Sequence, residues 1–398
     1  MRSGTTFAGG YRAGGLYCGI KKDQKKDLAI IASDRPAAAW ALLTTNRVKG
    51  APVLVTRAHL RSPLTRAIVV NSGNANTITP EGLAHARAMT SAVGRALGCP
   101  PSQVLIAATG VIGQSLPIEK VICGIEALVP ALSPEGGSDA AEAILTTDTS
   151  IKEAQVEFNS SGAQVRIGGC AKGAGMIHPS MATLLVFLTT DATVSRPVLR
   201  DVLTRANDAS FHRITIDGDT STSDTLVLMA NGASGAAEIM ESSGADYEQL
   251  LGGVTEICQD LARQVVRDGE GATKFITVQV TGAASEKYSR QVAMTIARST
   301  LVKAALFGED ANWGRILCAA GYAGVPIQAA RLTLHINNVL IMRDGALTKE
   351  AWEQCVAPTL KNRDIAVHLN LGAGVHSSEV WTCDLSYDYV RINAHYRT

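Results

Sequence analysis

The chain has 398 residues, 46% of them hydrophobic and 18% charged, with a formal net charge of +1. That length suits two domains with a sizeable core. The charge balance gives no electrostatic case for a nucleic acid or an anionic membrane surface, and no apolar stretch approaches the roughly 20 residues that span a bilayer. Met1–Tyr11 lacks an apolar signal core, so a soluble, cytoplasmic protein is expected. None of the eight cysteines forms a C-x-x-C pair, which argues against zinc; spread through apolar segments, they read as buried thiols in a reducing compartment.

Short apolar runs alternate with amphipathic stretches, the pattern of mixed α and β structure. In chain order, strands are predicted at Leu28–Ser33, Pro52–Thr56, Ala67–Val70 and Val104–Ala108. A helix is predicted over Pro80–Leu97, with Thr79 as its cap, Pro80 at the first position and Gly98 as its stop. Ser133–Ser138 reads as a surface turn. Further strands are predicted at Ala163–Ile167, Leu184–Leu188, Thr225–Ala230 and Phe275–Val280. Helices are expected over Pro197–Ala206, capped by Ser195, and over Tyr247–Arg267, stopped by Gly269. Ala284–Lys287 reads as a loop and as the domain boundary.

The residue with the most chemistry in its surroundings is Thr183. A Gly-rich, polar approach, Lys172–Ala182, ends where an apolar run begins. A threonine hydroxyl needs an adjacent base to act as a nucleophile. Scission of the Ala182–Thr183 bond would supply one, because the freed α-amine titrates at roughly 7.7–8.0. Read from the residues alone, Thr183 is first of all the opening residue of a core strand. Thr109-Gly110 follows an apolar run and reads either as an oxyanion-binding pair or as a tight turn. Glu270, between Gly269 and Gly271, is a carboxylate on a pliable loop or a solvated acid. Lys172 could face a substrate carboxylate or solvent. Asp217-Gly218-Asp219 begins like a calcium loop, but Thr222 replaces the sixth-position Gly and Leu228 the twelfth-position Glu. Gly173-x-Gly175 lacks its third glycine, which is His178, so no nucleotide loop is read there. His178 is read as a packed loop histidine rather than a base.

Seven blocks decide between these alternatives. They are N-S-G-N-A-N-T (Asn71–Thr77), A-T-G-V-I-G (Ala108–Gly113), T-T-D-T (Thr146–Thr149), D-G-D-T-S-T-S-D-T (Asp217–Thr225), D-G-E-G-A-T-K (Asp268–Lys274), D-A-N-W-G-R (Asp310–Arg315) and R-I-N-A-H-Y-R-T (Arg391–Thr398). In this order, with the segment around Thr183, they resemble the ornithine acetyltransferase family, the glutamate N-acetyltransferases of arginine biosynthesis. One departure is Ser180, where the family pattern has Asn.

The resemblance implies a fold: an αββα sandwich related in layout to N-terminal-nucleophile hydrolases over 1–283, and a smaller C-terminal α/β domain over 284–398. It implies self-cleavage between Ala182 and Thr183, then acetyl transfer from N2-acetyl-L-ornithine to L-glutamate through acetyl-Thr183. Thr109 and Gly110 would form the oxyanion hole, and Glu270 would assist proton transfer. Thr146, Lys172, Thr183, Glu270, Asn393 and Thr398 would hold substrate. The implied assembly is two α and two β chains. No metal or cofactor is implied, although some members also take acetyl from acetyl-CoA. An N-terminal-nucleophile amidase or aminopeptidase would share the cleavage and pass the acyl group to water. A member turned to specialised metabolism would keep the motifs and change the acceptor.

Overall fold

The computed structural model describes residues 1–178, 184–348 and 352–395. Two compact units divide the described chain: residues 1–212 with 219–265, and residues 213–218 with 266 onward. The first opens with β1 (Tyr11–Leu16), β2 (Leu28–Leu43), α1 (Ala51–His59), β3 (Thr65–Asn74), α2 (Gly82–Leu97) and β4 (Val104–Val111). It continues through α3 (Ile118–Ala131), α4 (Gly137–Ala143), β5 (Lys152–Ser160), β6 (Ala163–Lys172), β7 (Leu185–Thr190) and α5 (Arg196–Asp208). The two-residue β8 (Ile214–Thr215) pairs in the second unit's sheet; β9 (Thr225–Ala230) and α6 (Ala245–Arg267) follow.

Strand order in the first sheet is β4-β3-β2-β9-β7-β6-β5, with β1 paired to β2. The long strand β2 explains its shape. Residues 28–32 pair with β3, and residues 38–43 pair with β9. Between them lie the exposed Asp34, Arg35 and Pro36, and the ladder register shifts. Proline donates no ladder hydrogen bond, so the strand is free to turn there. The two halves of the sheet then face each other. Ile31, Ile68, Val70 and Leu105 of one half join Cys170, Leu185, Phe187, Val227 and Met229 of the other in one buried cluster.

Strand alternation sends the intervening residues outward. Leu28, Ile30, Val69 and Ile106 pack on Val55, Met89, Val93 and Ile125 of α1, α2 and α3. On the other outer face, Arg196 and Arg200 of α5 lie over the Trp40 ring at 5.7 and 5.6 Å. Gln264 of α6 donates to the Glu153 carbonyl of β5. The first unit is therefore the αββα sandwich expected.

The second unit adds β10 (Phe275–Ala283), α7 (Glu286–Arg298), α8 (Thr300–Phe307), α9 (Trp313–Gly321), β11 (Thr333–Ile336), β12 (Val339–Arg343) and β13 (Ala346–Leu347). It ends with α10 (Trp352–Val356), β14 (Asp364–Asn370), β15 (His376–Cys383) and α11 (Tyr387–His395). Its sheet runs β13-β12-β11-β14-β10-β15-β8. Val292, Ile296, Val302 and Ile316 from α7, α8 and α9 cover Val278, Val367 and Val380.

Several local readings change. Pro52–Thr56 is not a strand: it is the core of α1, with Pro52 in the first turn and Val53, Val55 and Thr56 buried. A short β-branched run cannot be told from a buried helical turn by periodicity. Thr79 does not cap α2, which starts at Gly82; its hydroxyl donates to Asn76 Oδ1 instead. Ser195 stands at the start of α5, yet its hydroxyl donates to the Met240 carbonyl. Of Ala284–Lys287, only Glu286 and Lys287 belong to α7; Ser285 caps that helix, accepting from the Tyr288 amide. The units part at 265/266 where the sequence suggests 283/284, because β10 pairs along its length with β14 and β15. All eight cysteines are free, and Cys123, Cys318 and Cys355 are exposed rather than buried. Among the described residues no helix is long and apolar enough to cross a membrane.

Candidate active site

Strand pairing places Thr109 and Gly110 at the end of β4. There β3 and β4 run parallel and Gly73 lies opposite Gly110, next to a bulge at Asn74. Gly110 has φ +125°, and a Cβ on it would lie 2.3 Å from the Gly73 carbonyl carbon. Only glycine fits such a crossing of two backbones. The neighbouring loop is fixed by asparagines: Asn71 Nδ2 donates to the Asn74 carbonyl at 2.7 Å, and Asn76 N to Asn74 Oδ1 at 2.7 Å. Two of the sequence blocks, Asn71–Thr77 and Ala108–Gly113, thus form one structural feature.

Lys172 ends β6 and is 3% exposed. Its ammonium donates to Thr109 Oγ1 at 3.3 Å and lies 3.9 Å from Asp148 Oδ2. Asp148 joins several of the predicted positions. Its Oδ2 accepts from the Thr146 amide at 3.1 Å; its Oδ1 accepts from the Gly173 amide at 2.7 Å and from Lys152 Nζ at 2.8 Å. The side chains of Asp148 and Lys152 are fully enclosed. Lys21 stands near, donating to the Lys26 and Leu145 carbonyls at 2.6 and 2.8 Å. Burial pulls its amine down to about 8, against the attraction of Asp27 and Asp23, and the charge of Lys172 adds to the drop. The first unit therefore brings Thr109, Gly110, Thr146 and Lys172 together in a region rich in cations, which suits an anionic substrate group.

Glu270 and Asn393 meet in the second unit. Asn393 Nδ2 donates to Glu270 Oε2 at 2.7 Å and to the Tyr389 carbonyl at 3.0 Å. Glu270 is 8% exposed. The chain beside it hugs α11: Ser386 Oγ donates to the Gly271 carbonyl at 2.6 Å, and a Cβ on Gly271 would meet Tyr389 N at 2.5 Å. Ser180, Ala182, Thr183 and Thr398 lie outside the described residues. Among the described residues no group of three or more His, Cys, Asp or Glu could hold a metal. Asp217 instead accepts from the Tyr389 hydroxyl at 3.3 Å.

The ArgJ family matches residues 12–398. The chain belongs to the ArgJ family. It is 46% identical over 401 residues to the arginine biosynthesis bifunctional protein ArgJ of Symbiobacterium thermophilum, covering 100% of this chain and 99% of that one. It is 47% identical over 399 residues to the protein of the same name from Gloeobacter violaceus, covering 99% and 98%. Among solved structures, ArgJ of Bacillus halodurans is similar at 41% identity and a TM-score of 0.51, over 53% of this chain and 98% of that chain.

Reading the sequence for this ArgJ-family chain passes over Asp148 and Asp224. Both lie inside quoted blocks, which is the signal that could have found them. Asp224 is buried, and its Oδ1 accepts from the Leu184 amide at 3.0 Å, one residue after position 183. Burial pushes the Asp224 carboxyl up; the Leu184 amide and the charge of Lys172 offset only part of that.

Asp148 is the opposite case. Burial would raise it, but Lys172, Lys152 and the Gly173 amide hold it at about 2 against an ordinary 3.8. A depressed carboxylate contributes stability that is present above the ordinary value and lost as pH falls through the folded one. The expected contribution is about 2 kcal/mol, disappearing between roughly pH 4 and pH 2. Denaturant melts across that range should show it in the wild type and not in Asp148→Asn; equal slopes would refute it.

Proposed function

We propose that this chain is an ornithine acetyltransferase acting in arginine biosynthesis, moving the acetyl group of N2-acetyl-L-ornithine to L-glutamate. Whole-length membership of the ArgJ family carries this reading, since the curated relatives bear the arginine biosynthesis name over 98–99% of their length. Thr109 and Gly110 beside an enclosed cation support it, because acyl transfer needs donors facing a developing oxyanion.

Maturation comes first. Thr183 Oγ attacks the Ala182 carbonyl carbon, the C–N bond breaks and the Thr183 amine takes the hydroxyl proton. Water then hydrolyses the ester, leaving chains 1–182 and 183–398. In turnover the Thr183 amine draws the proton from its own hydroxyl, and Oγ attacks the acetyl carbonyl of acetylornithine. The amide C–N bond breaks and ornithine leaves with the proton. The glutamate amine attacks the acetyl-Thr183 ester, Oγ leaves and is reprotonated, and N-acetylglutamate departs. This is a two-step, ping-pong covalent mechanism.

Thr109 Oγ and the backbone N–H of Gly110 serve the oxyanion. Glu270, held by Asn393, steers the amine's proton. Thr146, Lys172, Asn393 and Thr398 hold the amino-acid part of the substrate. Nucleophile and base are one residue, so no cofactor takes part; acetyl-CoA would be a second donor to the same ester. Two copies of each chain assemble in the cytoplasm.

Intact mass of the purified protein, with and without acetylornithine, tests the scheme. The expected result is two chains split at 182/183 and an acetyl increment on the second. Two chains without the increment would favour another donor, or an amidase that releases acetate without glutamate. One uncut chain would refute it.

A further inference from the structure

The scheme above has Lys172 hold substrate, and its contacts within the fold point to a second role. Lys172 lies between Asp148 and Thr109 rather than open to solvent: 3.9 Å from the first, 3.3 Å from the second, and 3% exposed. We propose that Lys172 is a positioning residue that turns the Thr109 hydroxyl toward the oxyanion, and that the buried Asp148 is the counter-ion holding Lys172 in place. The inference rests on the acyl-transfer reading and deepens it.

A threonine hydroxyl has one O–H donor and two acceptor lone pairs, and its rotor settles to suit its partners. An ammonium donating to Oγ1 occupies a lone pair and repels the hydroxyl hydrogen. The O–H is left to donate in another direction, away from β6. The positive charge also polarises the O–H bond and makes it a better donor, as charge-assisted bonds in enclosed sites do. A preset donor needs no reorganisation as charge develops, which is what makes oxyanion donors effective.

Asp148 is suited to the supporting part. It has no freedom of its own, because the Thr146 and Gly173 amides and Lys152 Nζ fix both of its oxygens. The Gly173 amide and the Lys172 ammonium belong to adjacent residues, so one carboxylate sets both the end of β6 and the charge on it. Among the described residues, Lys152 and Lys21 also act on this cluster and repel Lys172, and Asp224 attracts it when ionised.

A double-mutant cycle with Thr109→Val and Lys172→Met in the full chain tests the proposal. Valine keeps the shape of threonine and removes the hydroxyl. Methionine keeps length and leaves Asp148 with Lys152 and two amides. Thr109→Val is expected to lower kcat about 10²-fold. Lys172→Met is expected to lower kcat about tenfold in the wild-type background. In the Thr109→Val background the same lysine change should cost less than about twofold, because the group it acts through is gone. Where a variant matures slowly, the cycle is read in the rate of cleavage at 182/183, which uses the same donors.

An equal loss in both backgrounds, or a loss confined to KM, overturns the proposal and returns Lys172 to substrate binding, with the acyl-transfer reading intact. Full activity in Thr109→Val removes the oxyanion reading and the proposal together. Asp148→Asn enters the same cycle, and its kcat loss should likewise shrink when combined with Thr109→Val. The lysine arm decides the matter even if that variant does not fold.

Discussion

Thr183→Ala is expected to leave a single 41.7 kDa chain that transfers no acetyl group. Both losses have one cause. In the proposed scheme the hydroxyl that opens the Ala182–Thr183 bond is the one that later carries acetyl, and without the cut no α-amine exists to act as its base. Removing a nucleophile of this kind lowers kcat by about 10⁴-fold or more. Thr183→Ser is the companion variant, since it keeps a hydroxyl and can still acquire the amine. It should mature and turn over, more slowly if the lost methyl loosens the hydroxyl. SDS gels and a coupled ornithine assay read both variants. Cleavage or acetyl transfer in the alanine variant would remove Thr183 from the mechanism.

Gly110→Ala is expected to cost the fold as well as the reaction. At φ +125° an alanine is strained even in open space, and here its Cβ would press on the backbone of Gly73 and Asn74 at 2.3 and 2.5 Å. Strain and overpacking each cost about 1–3 kcal/mol, and backbone atoms in a paired strand have nowhere to retreat. The β3–β4 ends must separate, taking the Thr109 hydroxyl out of reach of Lys172. The variant should be insoluble, or soluble with a lowered Tm and little activity. Wild-type Tm and kcat together would show that the two backbones do not cross as described.

The sequence made the regular parts legible and the junctions less so. α2 and α6 carry long amphipathic patterns, and β4, β7 and β9 are uninterrupted apolar runs, so their existence could be read directly. β2 could be read only as far as Ser33. Asp34-Arg35-Pro36 looks like the end of a strand, yet it is the turn of a strand that continues to Leu43. Val53, Leu54 and Val55 look like strand and are helix, because burial on a sheet demands apolar residues of either element.

At the site, the quoted blocks mark Thr109, Gly110 and Thr146, the Gly-rich approach to Thr183 marks Lys172, and the fold gathers the four in one place. Asp148 was not singled out. An aspartate among threonines reads as turn chemistry, and its partners are a lysine four residues on, a lysine at the end of β6 and two amides. The link between Glu270 and Asn393 spans 123 positions, a separation that no local pattern encodes.

The order β2-β9-β7-β6 bears on what the proposed cut at 182/183 would leave behind. β7 and β9 belong to the downstream piece and lie side by side; β2 and β6, which flank them, belong to the upstream piece. The two pieces are interleaved like fingers of clasped hands. Separating them would unzip two ladders of six residue pairs each, β2–β9 and β6–β7, and bare four unpaired strand edges at once. The nicked protein should therefore run as two bands in SDS and as one particle in native buffer. Either piece made alone would meet water with raw edges and aggregate, while the two made in one cell could still find each other.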